Sequence, residues 1–213
     1  MKRRDDLIVS VKQRAIDAVK AGDTEAAVKY IEELYNGFKP LHSRYCEWLQ
    51  LLMAYIGEKL GEDAVEDVLK RTYEEVYGVL QKAGVHGANP TLSAEDLVRR
   101  WAAANHNHFS DFYVEEDDEK YTMVIPFCGS GGMLHNADRP GKTSKPYPWS
   151  FDQAGVTYYC CHEPVFEGIV TESGGTPEIH LYSPKCDAEG KIGHECKWIA
   201  YKNEHDKANQ DKK

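Results

Sequence analysis

The chain has 213 residues, a mass of 24.1 kDa and a formal net charge of −9, with 35 acidic against 26 basic side chains. This acidic balance argues against a nucleic-acid partner, because phosphate contacts need clustered Lys and Arg, and the longest apolar runs are far shorter than the roughly 20 residues that span a bilayer. With 41% hydrophobic residues, the composition predicts a folded cytoplasmic protein of one-domain size.

The first half of the sequence has the apolar spacing of helices. The positions of Gly, Pro and capping residues predict where these helices begin and end. They indicate five helices, at 5–20, 23–35, 41–56, 62–82 and 93–108. Asn36, Gly37 and Pro40 predict the break between the second and the third. The third helix carries large apolar side chains on one stripe, which we expect to be buried as core, namely Leu41, Tyr45, Trp48, Leu52 and Tyr55.

The second half changes to a strand pattern. Residues 112–115 and 120–125 flank an acidic turn and predict a β-hairpin. The segment 151–173 is apolar enough for a helix that breaks or restarts at Pro164, and 179–182 and 196–201 read as two further strands. The pattern predicts an α+β fold in which an N-terminal, bundle-like helical half packs on a small antiparallel sheet with a crossover helix. We expect a helical region at 1–108, an α+β metal- or ligand-binding region at 109–202, and a disordered tail at 203–213.

Cysteine and histidine are concentrated in the second half. Residues 101–213 hold five of the six Cys and seven of the nine His. In a long, charged chain such thiols indicate free cysteines or metal ligands rather than a disulfide framework.

The densest donor cluster is Cys160-Cys161-His162-Glu163, directly before Pro164. Thiolate and imidazole suit zinc or another late transition metal, and Glu163 suits a ligand or a general base. Because adjacent residues cannot all face one ion, we expect two or three of the four to bind it. The alternative is a buried Cys beside a solvated His-Glu pair.

A second candidate motif is Cys128-Gly129-Ser130-Gly131-Gly132, which follows a predicted strand. Glycine lets backbone amides approach a ligand closely, so a thiol and several N–H groups would face one site. The alternative is a tight turn with a buried Cys.

Three further features frame this chemistry. At the end of the fifth helix, His106 or His108 would reach the Cys128 turn because the hairpin folds back over a short distance, with His108 as the candidate catalytic residue; the alternative is a polar helix end. The 138–149 loop resembles a lid that would bring Trp149 to the substrate, and the alternative is a plain surface loop. Cys186, His194 and Cys196 frame a turn that suits a structural zinc site, with His180 on the preceding strand, although whether they join the Cys128 site stays open.

The closing pattern Cys186…Ala188-Glu-Gly190…His194-Glu-Cys196-Lys-Trp198-Ile199 resembles the strand-turn-strand ending of 4-vinyl-reductase-type modules and L-2-amino-thiazoline-4-carboxylic acid hydrolase-like proteins. The resemblance covers about 90 residues of the C-terminal half. It implies a pocket for a small, often aromatic, molecule. By the same resemblance, Cys186 and Cys196 would bind zinc beside that pocket.

Together these features predict a metal-dependent enzyme that acts on a small organic molecule by hydrolysis or by C–X or C–S bond cleavage. Cys128, Cys161 and His162, with Cys160 as the alternative ligand, would hold a zinc-like ion. Glu163 or His108 would move protons, and the amides of Ser130, Gly131 and Gly132, with Trp149, would bind substrate.

Two other functions fit the same residues. One is a non-enzymatic binding or sensing module with a structural zinc. The other is a metal-free enzyme with Cys128 as the nucleophile and His162 or His108 as the base. The expected partner is a small-molecule substrate, and a homodimer is compatible with the sequence.

Overall fold

Helices occupy most of the first hundred residues, and strands follow them. The computed structural model describes residues 9–82, 92–172, 179–182, 184–186, 192–194 and 196–203. The helices are α1 (Val11–Ala21), α2 (Thr24–Leu60), α3 (Glu62–Lys82), α4 (Ala94–Asn107), α5 (Gly131–Asn136) and α6 (His162–Glu172). The strands are β1 (Asp111–Glu116), β2 (Lys120–Phe127), β3 (Ile179–Leu181), β4 (Pro184–Cys186), β5 (Ile192–His194) and β6 (Cys196–Tyr201). The α+β class predicted from the sequence is confirmed.

The chain divides into two compact units, Met1–Tyr45 and Cys46–Lys213. In the first unit, Ser10 caps α1 by accepting a hydrogen bond from the Gln13 amide, and Gly22 ends the helix in a left-handed conformation. The second unit holds the sheets and every site residue considered below. The predicted tail beyond residue 203 lies outside the described residues.

The predicted break between the second and third helices is wrong, because α2 runs without interruption through Gly37 and Pro40. Proline lacks the N–H that an interior helical turn uses, and glycine costs about 1 kcal/mol there, so both residues favour an end. The apolar residues before and after them nevertheless continue one helical spacing. The start of α4 is confirmed, since the Ser93 hydroxyl accepts a hydrogen bond from the Asp96 amide at 3.0 Å.

The main sheet is antiparallel, with the strand order β1-β2-β6-β3, and β4 pairs with β5 in a separate two-stranded sheet. The predicted hairpin is confirmed as β1 and β2, and β6 pairs with both β2 and β3. Helix α4 covers this sheet, and α6 packs between α3 and β3. The core between them centres on Leu97, Trp101, Met123 and Val65.

Only the C-terminal part of the predicted 151–173 helix is helical. Residues 151–161 form turns, and α6 begins at His162, which puts Pro164 in the first turn, where its missing N–H costs no hydrogen bond. Within the described residues, no helix has the length and apolar character needed to cross a membrane.

The apolar stripe that was expected to form core is exposed, so that prediction is wrong. In the second unit the buried side of α2 is a different one, formed by Cys46, Gln50 and Met53. Gln50 holds this side of α2 against the rest of the unit, because its amide donates to the Pro140 and Gly141 carbonyls and accepts from the Tyr159 amide. A buried polar side chain with its hydrogen bonds satisfied is rarely recognised as a core residue from sequence.

Candidate functional site

A cavity of about 210 Å³ lies in the second unit between α3, α4, α6 and the main sheet. An aromatic lining accounts for much of its wall, contributed by Tyr73, Trp101, Tyr159, Phe166, Tyr182 and Trp198. Its polar lining includes His108, His162, Glu163 and His180 on one hand and Cys128, Cys160 and Cys196 on the other. A mostly apolar pocket with a few convergent polar groups is typical of a small-molecule site.

The buried Gln50 and the partly exposed Glu62 fix the segment that carries His162 and Glu163. Gln50 accepts a hydrogen bond from the Tyr159 amide at 2.8 Å. The Glu62 carboxylate accepts from the Tyr158 hydroxyl at 3.0 Å, and also from Ser144 and Tyr147. Burial alone would raise the pKa of Glu62, but these hydrogen bonds lower it, so the anion holds the segment in place.

His162 and Glu163 form an ion pair at the start of α6. The His162 Nε2 atom lies 2.9 Å from Glu163 Oε1, while His162 Nδ1 contacts the Tyr159 carbonyl oxygen. A carbonyl and an ionised carboxylate both accept hydrogen bonds only, so these contacts favour a His162 ring that carries protons on both nitrogens. The ring stacks on Tyr73 with centroids 5.2 Å apart.

The charges of this pair shift both pKa values. Burial would raise the pKa of Glu163, but the charge and hydrogen bond of His162, with smaller contributions from His180 and His108, lower it to about 2. Burial would lower the pKa of His162, but Glu163 and the Tyr159 carbonyl raise it above its ordinary value. Each partner thus stabilises the charged form of the other.

His180 is the second imidazole beside Glu163, and it differs from His162 in both charge and hydrogen bonding. Its side chain is 8% exposed, and its Nδ1 atom lies 3.8 Å from Glu163 Oε2. Neither ring nitrogen has a hydrogen-bond partner among the described residues. Burial lowers its pKa to about 4, against the opposing charge of Glu163, so His180 is neutral at pH 7.

The indole of Trp198 is next to His180 on the paired strand. The two rings meet edge to face with centroids 5.2 Å apart, and Trp198 Nε1 also has no hydrogen-bond partner within the described part of the chain. A buried polar group without a partner costs about 1–3 kcal/mol. Two such groups that line one cavity indicate a binding site for a ligand that hydrogen-bonds to them.

Three thiols line the same cavity. Cys128 Sγ lies 3.2 Å from the Ser130 hydroxyl, and Cys160 Sγ occupies the space where a side chain on Gly131 would be, 2.3 Å from an added Cβ. Burial raises the pKa of Cys160 well above its ordinary value, and the charges of Cys128 and Cys196 raise it further. Cys160 is therefore a protonated thiol in this state.

The structure brings most of the predicted site residues together. Those that line the cavity are Cys128, Ser130, Gly131, Gly132, Cys160, His162, Glu163 and His108. The backbone of His108 lies against the Cys128 turn, since a Cβ added to Gly129 would be 2.1 Å from the His108 carbonyl oxygen. This close approach agrees with the expected folding back of the hairpin.

Two of the predicted residues are not among those that line the cavity. Cys161 is fully buried, and its thiol donates to the Thr157 carbonyl oxygen at 3.4 Å. Trp149 is buried in the core and stacks on Tyr147, with centroids 4.8 Å apart. The 138–149 loop that carries Trp149 contributes no residue to the wall of the cavity.

In the described ranges, no group of three or more His, Cys, Asp or Glu side chains is placed to hold a metal ion. The side chains of Cys186 and His194 lie outside the described part of the structure, so the second predicted zinc site stays a prediction. Cys196, however, lines the cavity beside Cys128 and Cys160.

The sequence associates His180 only with the second zinc candidate and does not predict that it lies beside Glu163. Its neighbours on β3, Ile179 and Leu181, are exposed, whereas His180 faces inward. This is the reverse of the usual alternation of a half-buried strand. A polar residue that faces inward between two outward-facing apolar residues is a candidate site residue. This signal can be recognised only when the register of the sheet is known.

Comparisons with protein-family models, with curated proteins and with solved structures found no match to this chain. The resemblance noted for the C-terminal half therefore stays a prediction.

Proposed function

We propose that this protein is an enzyme that binds a small organic molecule in the cavity and cleaves it by proton transfer. The reaction would be a hydrolysis or a cleavage of a carbon–heteroatom or C–S bond. The observation that carries this proposal is a buried, neutral His180 without a hydrogen-bond partner among the described residues, adjacent to the ionised Glu163 in the cavity. A perturbed pKa in a cleft marks a candidate for acid–base catalysis.

In this proposal His180 accepts a proton from the attacking nucleophile, and the Glu163 carboxylate stabilises the imidazolium that forms. A neutral imidazole has one acceptor nitrogen and one N–H, so His180 both orients a nucleophile and takes its proton. Glu163 lies between the two imidazoles, at 2.9 Å from His162 and 3.8 Å from His180. Its negative charge therefore stabilises a proton on either ring, and the His108 side chain adds to the local charge balance.

The substrate that fits is a compact, largely planar molecule. A dry cavity of about 150 Å³ holds benzene, so 210 Å³ has room for one ring with small substituents. The aromatic lining favours an apolar body, whereas Trp198 Nε1 calls for a hydrogen-bond acceptor on the ligand. The backbone amides of Ser130, Gly131 and Gly132 remain our proposal for the groups that receive developing negative charge.

Blocking the open side of the cavity tests this proposal without touching the polar cluster. Ala103 and Ala104 are both exposed on α4, but only Ala104 lines the cavity. Wild-type protein is screened for turnover of small aromatic esters, amides, thioethers and thiazoline carboxylates. For a substrate found in this way, we expect A104F to lower kcat/KM at least tenfold, while A103F, an identical change outside the cavity, keeps the wild-type value. Equal activity in the two variants would rule out this cavity as the site.

A second candidate is the metal-dependent enzyme with zinc or another late transition metal. The observation that favours it is that Cys128, Cys160 and Cys196 line one cavity, because thiolates are the preferred ligands of such ions; to bind one ion together, these side chains would have to move from their present positions. An ion would displace the thiol protons and polarise the substrate or its attacking water. The free thiols of the described cysteines also fit a reducing compartment, and we propose the cytoplasm as the location.

Metal analysis distinguishes the two candidates. The acid–base proposal predicts that protein purified without chelators carries no stoichiometric transition metal and that turnover persists after treatment with 1,10-phenanthroline. The metal-dependent candidate predicts a stoichiometric ion that is lost in C128S, with turnover lost on chelation. C46S serves as the control, because Cys46 is buried against Tyr159 and is not among the residues that line the cavity.

A further inference from the structure

Helix α2 carries large apolar side chains at the alternating spacing of three and four residues that defines a heptad repeat. Numbering Ile31 as position a, the a and d positions over 25 residues are Ile31, Leu34, Phe38, Leu41, Tyr45, Trp48, Leu52 and Tyr55. Every one of them is large and apolar, and neither Gly37 nor Pro40 occupies an a or d position. A repeat of 3.5 residues is the spacing that matches one helix to another helix.

These side chains are exposed in each unit. In the first unit the exposed set includes Ile31, Leu34, Phe38, Leu41 and Tyr45. In the second unit Trp48, Leu52 and Tyr55 are 63%, 58% and 61% exposed, and Leu49 and Leu51 beside them are exposed as well. A soluble monomer rarely leaves a contiguous apolar patch of this kind uncovered.

The fold of the second unit prevents this stripe from turning inward. The other face of α2 is already committed there, since Gln50 bonds to residues 140, 141 and 159. Cys46 also donates to Tyr159, and Gly57 lies so close to Tyr158 that an added Cβ would be 2.8 Å from its ring. Burial of the stripe must therefore come from outside this unit.

We propose that α2 pairs with α2 of a second copy of this chain, through the a and d positions, to form a homodimer. An a/d stripe is complementary to itself, because the knobs of one helix have the spacing of the holes of the other. A two-fold symmetric contact of this kind is the commonest way in which identical chains associate.

The available area agrees with a stable dimer. Each of these half-exposed side chains has on the order of 100 Å² to bury. The a and d residues of α2 thus bring roughly 800 Å² per chain, which is what one partner contributes to an interface of standard size. The proposal is independent of the chemistry in the cavity, because none of these residues lines it.

A charge within the stripe tests the proposal. Wild-type protein is expected to sediment as a dimer of twice 24.1 kDa at micromolar concentration. L52E places a carboxylate at an a position and should give the monomer. The variant should still show the helical circular dichroism signal of a folded protein. L60E is the matched control, because Leu60 is 72% exposed on the same helix but occupies position b, and it should remain dimeric. A monomeric wild type, or a dimer that L52E leaves intact, would overturn the proposal.

Fluorescence quenching provides a second measurement that does not depend on how L52E folds. Trp48 is highly exposed in the single chain, whereas Trp101 and Trp149 are buried. We expect acrylamide to quench Trp48 weakly at high protein concentration and strongly on dilution, and we expect W48F to lose this concentration dependence. Strong quenching of the wild type at every concentration would contradict pairing through α2.

Discussion

Replacing His180 with asparagine is expected to lower turnover of a substrate of the cavity by roughly 10²–10⁴-fold, the usual contribution of a positioned acid–base group. Asparagine keeps a polar group near Nδ1 but cannot accept a proton. The loss should appear in kcat more than in KM, because the proton is transferred in the transition state. The measurement is steady-state kinetics on the wild type and on H180N.

The matched control is H106N. His106 packs edge to face on Phe112, is exposed and does not line the cavity, so this variant should retain full activity. If H180N keeps a kcat within threefold of the wild type while it binds substrate normally, His180 is not the proton acceptor. A similar loss of activity in H106N would assign the effect to the general loss of a histidine rather than to this site.

Replacing Glu163 with glutamine is expected to destabilise the protein by about 2 kcal/mol at pH 6, because the His162 imidazolium loses its charged partner in a mostly buried site. The pKa of His162 should also fall, since the charge of Glu163 is what raises it. Chemical denaturation gives the free energy of unfolding, and E172Q, which changes an exposed carboxylate at the end of α6, is the control.

The effect of E163Q should depend on pH in a defined way. The pKa of Glu163 is lowered to about 2 in the folded protein, below an unfolded value of about 4.3, so its stabilisation is present above pH 4.3 and is lost as the pH falls toward 2. The raised pKa of His162 makes its stabilisation complete below about pH 6.5 and removes it at higher pH. The difference between wild type and variant should therefore be largest between about pH 4.5 and 6.5. A difference that stays constant from pH 3 to 9 would contradict the ion pair.

Local signals allowed much of the fold to be predicted from sequence. The bounds of α3, the Ser93 cap of α4 and the β1–β2 hairpin follow from capping residues, helical spacing and a turn, all of which act over a few residues. The prediction at residues 36–40 was wrong because glycine and proline weaken a helix locally without specifying its end. Continuity of the helix on both sides of Pro40 is not visible in such short windows.

Long-range packing explains why the predicted buried face of α2 differs from the observed one. The stripe at Trp48, Leu52 and Tyr55 has the pattern of a buried face, yet Gln50 and Gly57 bring the other side of α2 against the 140–159 segment. Amphipathic spacing identifies an apolar face but does not state whether it is covered by the same chain or by another. The proposed dimer would make the original expectation of burial correct for the assembly and wrong for the single chain.

The candidate site was located more reliably by residue type than by role. Cys160, His162 and Glu163 of the donor cluster line one cavity with the Cys128 turn, as their chemistry suggested, whereas Cys161 does not. The contacts of the two ring nitrogens of His162 with Glu163 and Tyr159 could not be predicted from sequence, because they depend on how the first turn of α6 is folded. His180 was missed as a site residue because its inward orientation is set by the pairing of β3 with β6.

The charge states of the two imidazoles are the most direct test of this site. Nitrogen-15 NMR of histidine-labelled protein, with H180N and H162Q for assignment, reports the protonation of each ring nitrogen as a function of pH. We expect His162 to carry protons on both nitrogens at pH 7, and His180 to stay neutral until the pH falls to about 4. A neutral His162 at pH 7, or a His180 that titrates near 6.5, would contradict the proposed acid–base centre.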